Sequence, residues 1–200
     1  MREYDEIADW YAAIRNPDVG VPDVAALAQS LPPHARVLDL GCGDGIPVSR
    51  LLVREGCRLT ALDSSPEMVR RYRANVPGVP VHCARLETAH FAPGAFEAVV
   101  AWGVLFHLDD AEQEAAIERV AEWLAPGGRF LFTSGDAPGV TESEMDGVAF
   151  RYVSLGVDAY RGLLEHAGMR LERHHADAWD NHVYVAVKGA ESTGGGRSSG

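Results

Sequence analysis

The most informative stretch of this 200-residue sequence is Val37-Leu38-Asp39-Leu40-Gly41-Cys42-Gly43-Asp44-Gly45-Ile46-Pro47. The apolar run Val37 to Leu40, with one acid inside it, is typical of a strand that is buried on both faces. Three alternating glycines follow, and Pro47 suits the first turn of a helix that starts at Ile46, because a missing N–H costs nothing there. A strand that passes into a helix over bare backbone lets a small ligand lie against the main chain. The alternative is a tight turn without a ligand, although one glycine is enough to close a turn.

Composition indicates an ordinary soluble globular domain. Apolar residues make up 46% of the chain and charged residues 24%, and no apolar run approaches the roughly 20 residues of a membrane span. The polar, acidic start of the chain is unlike a secretory signal. The three cysteines, Cys42, Cys57 and Cys83, show no Cys-x-x-Cys spacing, so we expect free thiols in the cytoplasm. Cys42, inside the glycine loop, is either a reactive thiol or a small space-filling residue.

The charge balance argues against nucleic acid as a partner. The chain has 18 basic and 29 acidic residues and a formal net charge of -11. A surface that follows a phosphate backbone needs the opposite sign. We therefore expect no nucleic-acid partner, although this balance still allows a local basic patch, and without a spanning apolar run we expect no membrane partner.

Strands and helices alternate along the first two thirds of the chain. The patterns predict strands at 36–40, 58–62, 79–83, 96–101 and 129–133, and helices at 4–13, 22–30, 46–55, 66–75 and 110–124. Such alternation implies right-handed crossovers and a parallel sheet covered on both faces. The remainder is predicted as a glycine-rich acidic loop (136–150), a helix (158–167), two closing strands (170–176 and 183–188) and a flexible tail (189–200).

Two ligand classes use a strand, glycine loop and helix unit: dinucleotides, and adenosyl cofactors without phosphates. A dinucleotide fingerprint needs its third glycine where this chain has Ile46, and Asp44 would set a carboxylate beside a pyrophosphate. Asp63 stands 18 positions after Gly45 at the end of the second predicted strand, where a carboxylate can bind both hydroxyls of a ribose. The alternative role of Asp63 is to cap the next helix, for which Ser64 and Ser65 are also available.

With these residues the chain resembles the class I S-adenosylmethionine-dependent methyltransferases, of the small bacterial type that acts mostly on small molecules. The resemblance extends from Tyr4 to Lys188. Four motifs carry it in order: Val37–Gly45, Leu62–Met68, Phe96–Val100 followed by Leu105–Leu108, and Leu124–Phe130.

The resemblance implies an α/β, Rossmann-like, doubly wound fold with a mostly parallel seven-stranded sheet whose last strand is antiparallel. It implies one methyltransferase domain over residues 1–188. Within it we expect an N-terminal helical cap (1–35), a cofactor-binding core (36–135), and a lid with the C-terminal strands (136–188), followed by the tail (189–200).

The resemblance also implies the cofactor, S-adenosyl-L-methionine, and the residues that bind it. Asp39 and the 41–45 backbone would hold the methionine portion, Met68 the adenine edge, and the Ala101–Trp102 backbone the amino group. Tyr4 and Tyr11 resemble a cap that closes over the cofactor, although one apolar helix face explains them equally well. The predicted cofactor-binding residues are Tyr4, Tyr11, Asp39, Gly41, Cys42, Gly43, Gly45, Ile46, Asp63, Ser64, Met68, Leu86, Glu87, Ala101 and Trp102.

One position departs from the family pattern. After the third strand, relatives commonly place an Asp that accepts from the adenine N6, and here that position is Arg85, which cannot accept. The Leu86 amide and the Glu87 carboxylate are the nearest substitutes.

The implied reaction is methyl transfer to a small-molecule acceptor by in-line displacement. A proton-bearing acceptor benefits from a base, and His107, just beyond the fourth strand, is the one candidate; its alternative role is packing. His174 and His175 are adjacent in a predicted strand, point to opposite faces and cannot share a metal, so no metal site is expected. The other readings of the chain are an adenosylmethionine-binding protein without turnover and a dinucleotide-dependent oxidoreductase.

The acceptor pocket is predicted from aromatic and histidine residues near the same edge of the sheet. We expect the 136–150 loop to act as a lid. Three acids in it, Glu142, Glu144 and Asp146, would suit a cationic acceptor or simply belong to a solvated loop. The predicted substrate-binding residues are Phe106, Tyr152, His182 and Tyr184, with Trp102 and Tyr160 as further candidates.

Overall fold

The computed structural model describes residues 3–190, with nine strands and seven helices in that range. The predicted tail therefore lies, from residue 191 onward, outside the described residues. The strands are β1 (Arg36–Leu40), β2 (Arg58–Asp63), β3 (Val81–Cys83), β4 (Phe96–Ala101), β5 (Leu124–Ser134), β6 (Pro138–Met145), β7 (Val148–Leu155), β8 (Met169–Ala176) and β9 (His182–Lys188). The helices are α1 (Glu3–Glu6), α2 (Ala8–Ile14), α3 (Val21–Ser30), α4 (Val48–Arg54), α5 (Pro66–Asn75), α6 (Asp110–Trp123) and α7 (Val157–His166), with 3-10 turns at Leu86–Thr88 and Leu105–His107.

Seven strands form one sheet in the order β3-β2-β1-β4-β5-β9-β8. The pairs β2·β3, β1·β2, β1·β4 and β4·β5 are parallel, and β9 is antiparallel to both of its neighbours. This is the predicted fold: Rossmann-like, mostly parallel and seven-stranded, with the last strand reversed.

Helices cover both faces of the sheet, as alternation predicted. One face packs α3 and α4 against strand residues such as Val37 and Val100, and the other packs α6 and α7 against residues such as Leu38 and Phe132. Burying each large apolar side chain contributes about 1.5–3 kcal/mol, so these two layers hold the strand ends in place. No helix in residues 3–190 has the length and apolar character needed to cross a bilayer.

The predicted bounds of two helices need correction. The helix after the glycine loop begins at Val48, not at Ile46, because the Ile46 amide donates to the Asp44 side chain (3.2 Å) and Pro47 is the N-cap. The predicted N-terminal helix is divided into α1 and α2 at Ile7, whose backbone angles (φ -106°, ψ 9°) are not helical. The Ile7 side chain is buried.

The predicted loop at 136–150 is instead largely a two-stranded hairpin of β6 and β7, separate from the main sheet. Asp146 (φ 48°) and Gly147 (φ 79°) form a two-residue turn between the paired residues Met145 and Val148. Positive φ at both positions is the geometry of a type I′ turn, which favours Asp-Gly. The sequence therefore contained the hairpin signal, and the acidic composition obscured it.

Candidate functional site

The glycine loop and Asp63 meet at the carboxyl edge of the parallel sheet. In-register pairing of β1 with β2 ends both strands together, and the Gly41 and Cys42 amides donate to the Leu62 carbonyl (2.8 and 3.0 Å). The Gly43 amide then donates to Oδ2 of Asp63 (2.8 Å). Gly43 and Asp63, which the sequence assigned to one site, are thus in direct contact.

Asp63 does not cap α5. The cap is Ser65, whose hydroxyl accepts from the Met68 amide (3.0 Å), while Oδ1 of Asp63 accepts from the Ser65 amide (2.8 Å). Burial raises the pKa of the Asp63 carboxyl, and the two backbone donors oppose that rise. The carboxylate therefore joins the glycine loop to the turn that follows β2.

Asp39 is buried beneath the loop in a chain of hydrogen bonds. The Tyr72 hydroxyl donates to Ser49 Oγ (2.9 Å), and the Ser49 hydroxyl donates to Oδ2 of Asp39 (2.5 Å). Burial raises the pKa of Asp39 from 3.8 to about 7, although the Ser49 hydrogen bond lowers it. Near neutral pH this carboxyl is poised between its two protonation states.

Arg15 neutralises Asp44 in the glycine loop. Both carboxylate oxygens accept from the Arg15 guanidinium, one of them at 2.7 Å, and the side chains are 14% and 5% exposed. The argument that Asp44 repels a pyrophosphate is weakened, because the charge is already paired. The spacing of the three glycines still argues against a dinucleotide-binding loop. No pattern in the sequence around Arg15 predicted this ion pair.

The N-terminal cap is attached to the site at its other end by Asp5. Oδ1 of Asp5 accepts from the Ser65 hydroxyl and from the Glu67 amide (3.2 Å). Tyr4 and Tyr11 contact each other edge to face, with ring centroids 5.4 Å apart. The cap therefore spans from the turn after β2 to the glycine loop.

Four aromatic rings surround His107. The Tyr4 hydroxyl lies 3.1 Å from His107 Nε2, and the ring centroids of Phe106, Tyr152, Tyr4 and Phe150 lie 4.7, 5.2, 5.6 and 6.0 Å from that of His107. We call these five residues the aromatic cluster. It joins the cap, the exit of β4 and the hairpin, so two of the predicted substrate residues, Phe106 and Tyr152, lie beside the predicted base.

The other two predicted substrate residues do not join this cluster. Tyr184 is fully buried, stacks on Phe132 (4.7 Å) and donates its hydroxyl to the Gly135 carbonyl (2.7 Å), so it is a core residue. Its prediction as a substrate residue is wrong, and the fully buried Tyr160 is also in the core. His182 lies 3.6 Å from Asp136 and stacks on His174.

The Trp102 ring, directly after β4, turns toward the start of α3. Its indole packs against Gly20, where an added Cβ would come within 2.7 Å of the ring. The side chain is only partly buried, so its role as a pocket-lining ring stays a prediction. A sequence does not show to which side a ring at a strand end turns.

The structure also bears on the cysteine and histidine predictions. Cys42 is buried against Ala61 and Tyr72, and burial raises the pKa of its thiol, as expected for a space-filling residue. His174 contacts Tyr184, whereas His175 lies 3.0 Å from Asp23 on the opposite face. In residues 3–190 no group of three His, Cys, Asp or Glu side chains is arranged to hold a metal ion.

Comparison with known proteins shows what the chain is similar to. Residues 37–128 match the profile of the "Methyltransferase domain" family. The chain is 32% identical over 155 residues to the ubiquinone biosynthesis O-methyltransferase of Xanthomonas euvesicatoria, an alignment that covers 69% of this chain and 64% of that protein. Residues 37–128 thus match a methyltransferase domain, and the chain is similar to class I S-adenosylmethionine-dependent methyltransferases.

Solved structures share the methyltransferase fold. The CcbJ methyltransferase of Streptomyces caelestis superposes with a TM-score of 0.74 at 21% identity, covering 92% of this chain and 96% of that one. The 1,6-didemethyltoxoflavin-N1-methyltransferase of Burkholderia thailandensis, solved with S-adenosylhomocysteine bound, gives 0.72 at 19% identity, covering 94% and 84%. At these identities the likeness shows the fold alone. The chain spans slightly less than two thirds of the length of the Xanthomonas relative.

Arg85, the position predicted to depart from the family pattern, forms an ion pair with Glu87. Arg85 is exposed and donates to Glu87 through Nε and a terminal nitrogen (3.1 and 3.0 Å), which lowers the pKa of the Glu87 carboxyl. Met68 is 3% exposed in the first turn of α5. The predicted adenine side therefore has a compensated ion pair at its rim.

Proposed function

We propose that this protein transfers the methyl group of S-adenosylmethionine to a small-molecule acceptor. The observation that carries the proposal is the contact of Asp63 with the Gly43 amide at the ends of β1 and β2. Space beside Gly43 supports it, because a Cβ added there would meet nothing within 4 Å. A carboxylate next to open, bare backbone fits a ribose whose neighbouring group has no phosphate.

The cofactor would supply an activated methyl group, and the chain would supply position and exclusion of water. Asp39, the 41–45 backbone and Ile46 would hold the methionine portion. Asp63 and Ser64 would hold the ribose, Met68, Leu86 and Glu87 the adenine, and the Ala101–Trp102 backbone the amino group. Tyr4 and Tyr11 would cover the site from the cap. The ion pair of Arg15 with Asp44 would exclude water from the loop.

His107 is the proposed base. Its place in the aromatic cluster, with the Tyr4 hydroxyl at Nε2, supports that role, because the same nitrogen can accept a proton from an acceptor hydroxyl. Glu142 and Glu144 on β6 are exposed to solvent, so they do not form an acidic pocket. We therefore favour an uncharged acceptor over a cationic one. His182 lies near the end of β5, with Ser134 as its strand partner, and remains a proposed substrate residue.

The net charge and the free cysteines bear on the acceptor class and on the cell compartment. The net charge of -11 disfavours a nucleic-acid acceptor. All three cysteines are free, which supports a reducing compartment, and we propose the cytoplasm. We further propose one domain over residues 1–188, with the cap, core and C-terminal portion divided near residues 35 and 135.

The proposal is tested by incubating purified protein with a methyl-labelled donor and a pool of small hydroxylated and amino acceptors. We expect labelled product with the wild type. Asp63→Ala should lose charge-assisted hydrogen bonds and bind the donor at least ~10-fold more weakly. Asp146→Ala, in the hairpin turn, is the matched control and should bind normally. Donor binding without transfer to any acceptor would favour a binding protein.

A further inference from the structure

The hydrogen-bond chain beneath the glycine loop joins three elements. The Tyr72 hydroxyl in α5 donates to Ser49 Oγ in α4 (2.9 Å), and the Ser49 hydroxyl donates to Oδ2 of Asp39 in β1 (2.5 Å). Tyr72 and Ser49 are fully buried, and Asp39 is 2% exposed. Because each link is held in a different packed element, the two helices together fix the position of the Asp39 carboxyl.

The other end of this chain contacts the glycine loop itself. A Cβ added to Gly45 would lie 2.9 Å from the Tyr72 ring, so the ring packs directly against the loop backbone. One turn further along α5, the Asn75 side-chain amide donates to the Asp44 carbonyl (3.0 Å). Helix α5 therefore supports the loop and, through the Tyr72 hydroxyl, also the chain that ends at Asp39.

The Asp39 carboxyl itself lacks a positive partner. In residues 3–190 its Oδ1 accepts no hydrogen bond, and neither oxygen forms an ion pair with a basic side chain. The ionisable side chains that act on it are Asp63, Cys42 and Tyr72, none of which is a cation. Buried carboxylates are ordinarily paired. The arrangement therefore suits a ligand that brings a positive charge to Oδ1.

We propose that Ser49 and Tyr72 are positioning residues for the cofactor: they hold Asp39 so that Oδ1 pairs with the ammonium of the methionine portion, and cofactor binding is thereby coupled to release of the Asp39 proton. This rests on the proposed function and deepens it. The Ser49 hydroxyl favours the ionised carboxyl, and the Tyr72 hydroxyl strengthens that donation by polarising Ser49. On binding, the carboxyl proton would pass to the solvent.

The test is calorimetric titration of S-adenosylhomocysteine into the protein at about pH 6.5 and at about pH 8.5. The wild type should bind more tightly at the higher pH, where Asp39 is ionised before the cofactor arrives. Ser49→Ala favours the protonated carboxyl, so its affinity should be roughly 5- to 10-fold below that of the wild type at the lower pH and within ~2-fold at the higher pH. Tyr72→Phe should change the affinity in the same direction by a smaller factor.

Two further variants separate this coupling from other effects. Tyr184→Phe removes a buried hydroxyl from the core, where it donates to the Gly135 carbonyl (2.7 Å), and should match the wild type at both pH values. Asp39→Asn removes the titrating group and leaves Asp63 in place. When Ser49→Ala is added to Asp39→Asn, the affinity should change by the same factor at both pH values.

The pH profile distinguishes positioning from a merely structural role. A loss of affinity in Ser49→Ala that is equal at both pH values would overturn the proposal, as would an unchanged affinity. If Ser49→Ala does not fold, Tyr72→Phe, which keeps the ring against Gly45, gives the same test. Failure of S-adenosylhomocysteine to bind the wild type at either pH would instead contradict the proposed function.

Discussion

Gly41 and Gly43 both have positive φ, of 70° and 55°, but face different surroundings. A Cβ on Gly41 would lie 2.3 Å from Val104, whereas one on Gly43 would meet nothing within 4 Å. Both alanine variants carry left-handed strain of about 1–2 kcal/mol, and only Gly41→Ala adds overpacking of about 1–3 kcal/mol. We expect chemical denaturation to show Gly41→Ala as the less stable variant.

Gly43→Ala should instead fail in binding. The added methyl group would enter the open space proposed for the cofactor, so titration should give an affinity for S-adenosylhomocysteine at least ~10-fold weaker, a loss of about 1.4 kcal/mol. Adding Val104→Ala to Gly41→Ala is the matched control, because removing the clashing methyl groups should recover part of the lost stability. Equal stability of the two glycine variants, or normal binding by Gly43→Ala, would contradict the assignment of space in the loop.

Asp39 should make the free energy of unfolding decrease as the pH rises. Its pKa is raised from 3.8 to about 7 in the folded protein, so the folded state holds a proton that the unfolded state releases. The contribution of Asp39 to the free energy of unfolding therefore falls as the pH rises between these values and stays low above pH 7. Asp39→Asn, which keeps an acceptor for Ser49, should be more stable relative to the wild type at pH 8 than at pH 4, by a few kcal/mol.

Denaturant unfolding of both proteins across this pH range measures the difference directly. Val104→Ala, an apolar substitution beside the glycine loop that changes no ionisable group, is a suitable control and should differ from the wild type by the same amount at every pH. A difference between wild type and Asp39→Asn that does not vary with pH would show that Asp39 is ionised throughout.

The ion pair of Arg15 with Asp44 connects the helices α1 and α2 of the cap to the glycine loop. Because Arg15 and Asp44 are 14% and 5% exposed, removing either one leaves a largely buried charge unpaired. Arg15→Met and Asp44→Asn should each destabilise the protein, and the double variant should lose less than the sum. We expect a coupling free energy of roughly 1–3 kcal/mol from the double-mutant cycle. Additive losses would mean that the pair does not hold the cap.

The elements differ in how far their sequences determine them. Helix α5 begins as predicted, since Ser65 and Pro66 are local signals for a cap and a first turn. The hairpin was missed although Asp146 and Gly147 signal its turn, because β6 is exposed from Pro138 to Glu144 and lacks the alternation of a half-buried strand. The break at Ile7 has no local signal, since it depends on the core that buries that side chain.

In the whole molecule, topology explains which parts of the site were predictable. Parallel pairing brings the ends of β1 and β2 together whatever else the chain does, so Gly43 and Asp63 were assigned to one site in advance. The contacts of Tyr4 with His107 and of Arg15 with Asp44 depend on where the cap docks. No spacing rule encodes that docking, and these contacts appear only in three dimensions.

The most direct test of the central claim, an adenosyl cofactor site without phosphates, is thermal unfolding with S-adenosylhomocysteine and, separately, with NAD. At about 100 times its Kd, S-adenosylhomocysteine should stabilise the protein by about 2.7 kcal/mol. For a chain of this size that corresponds to an increase in Tm of ~5–10 °C. We expect that increase with S-adenosylhomocysteine and none with NAD. An increase with NAD and none with S-adenosylhomocysteine would contradict the claim.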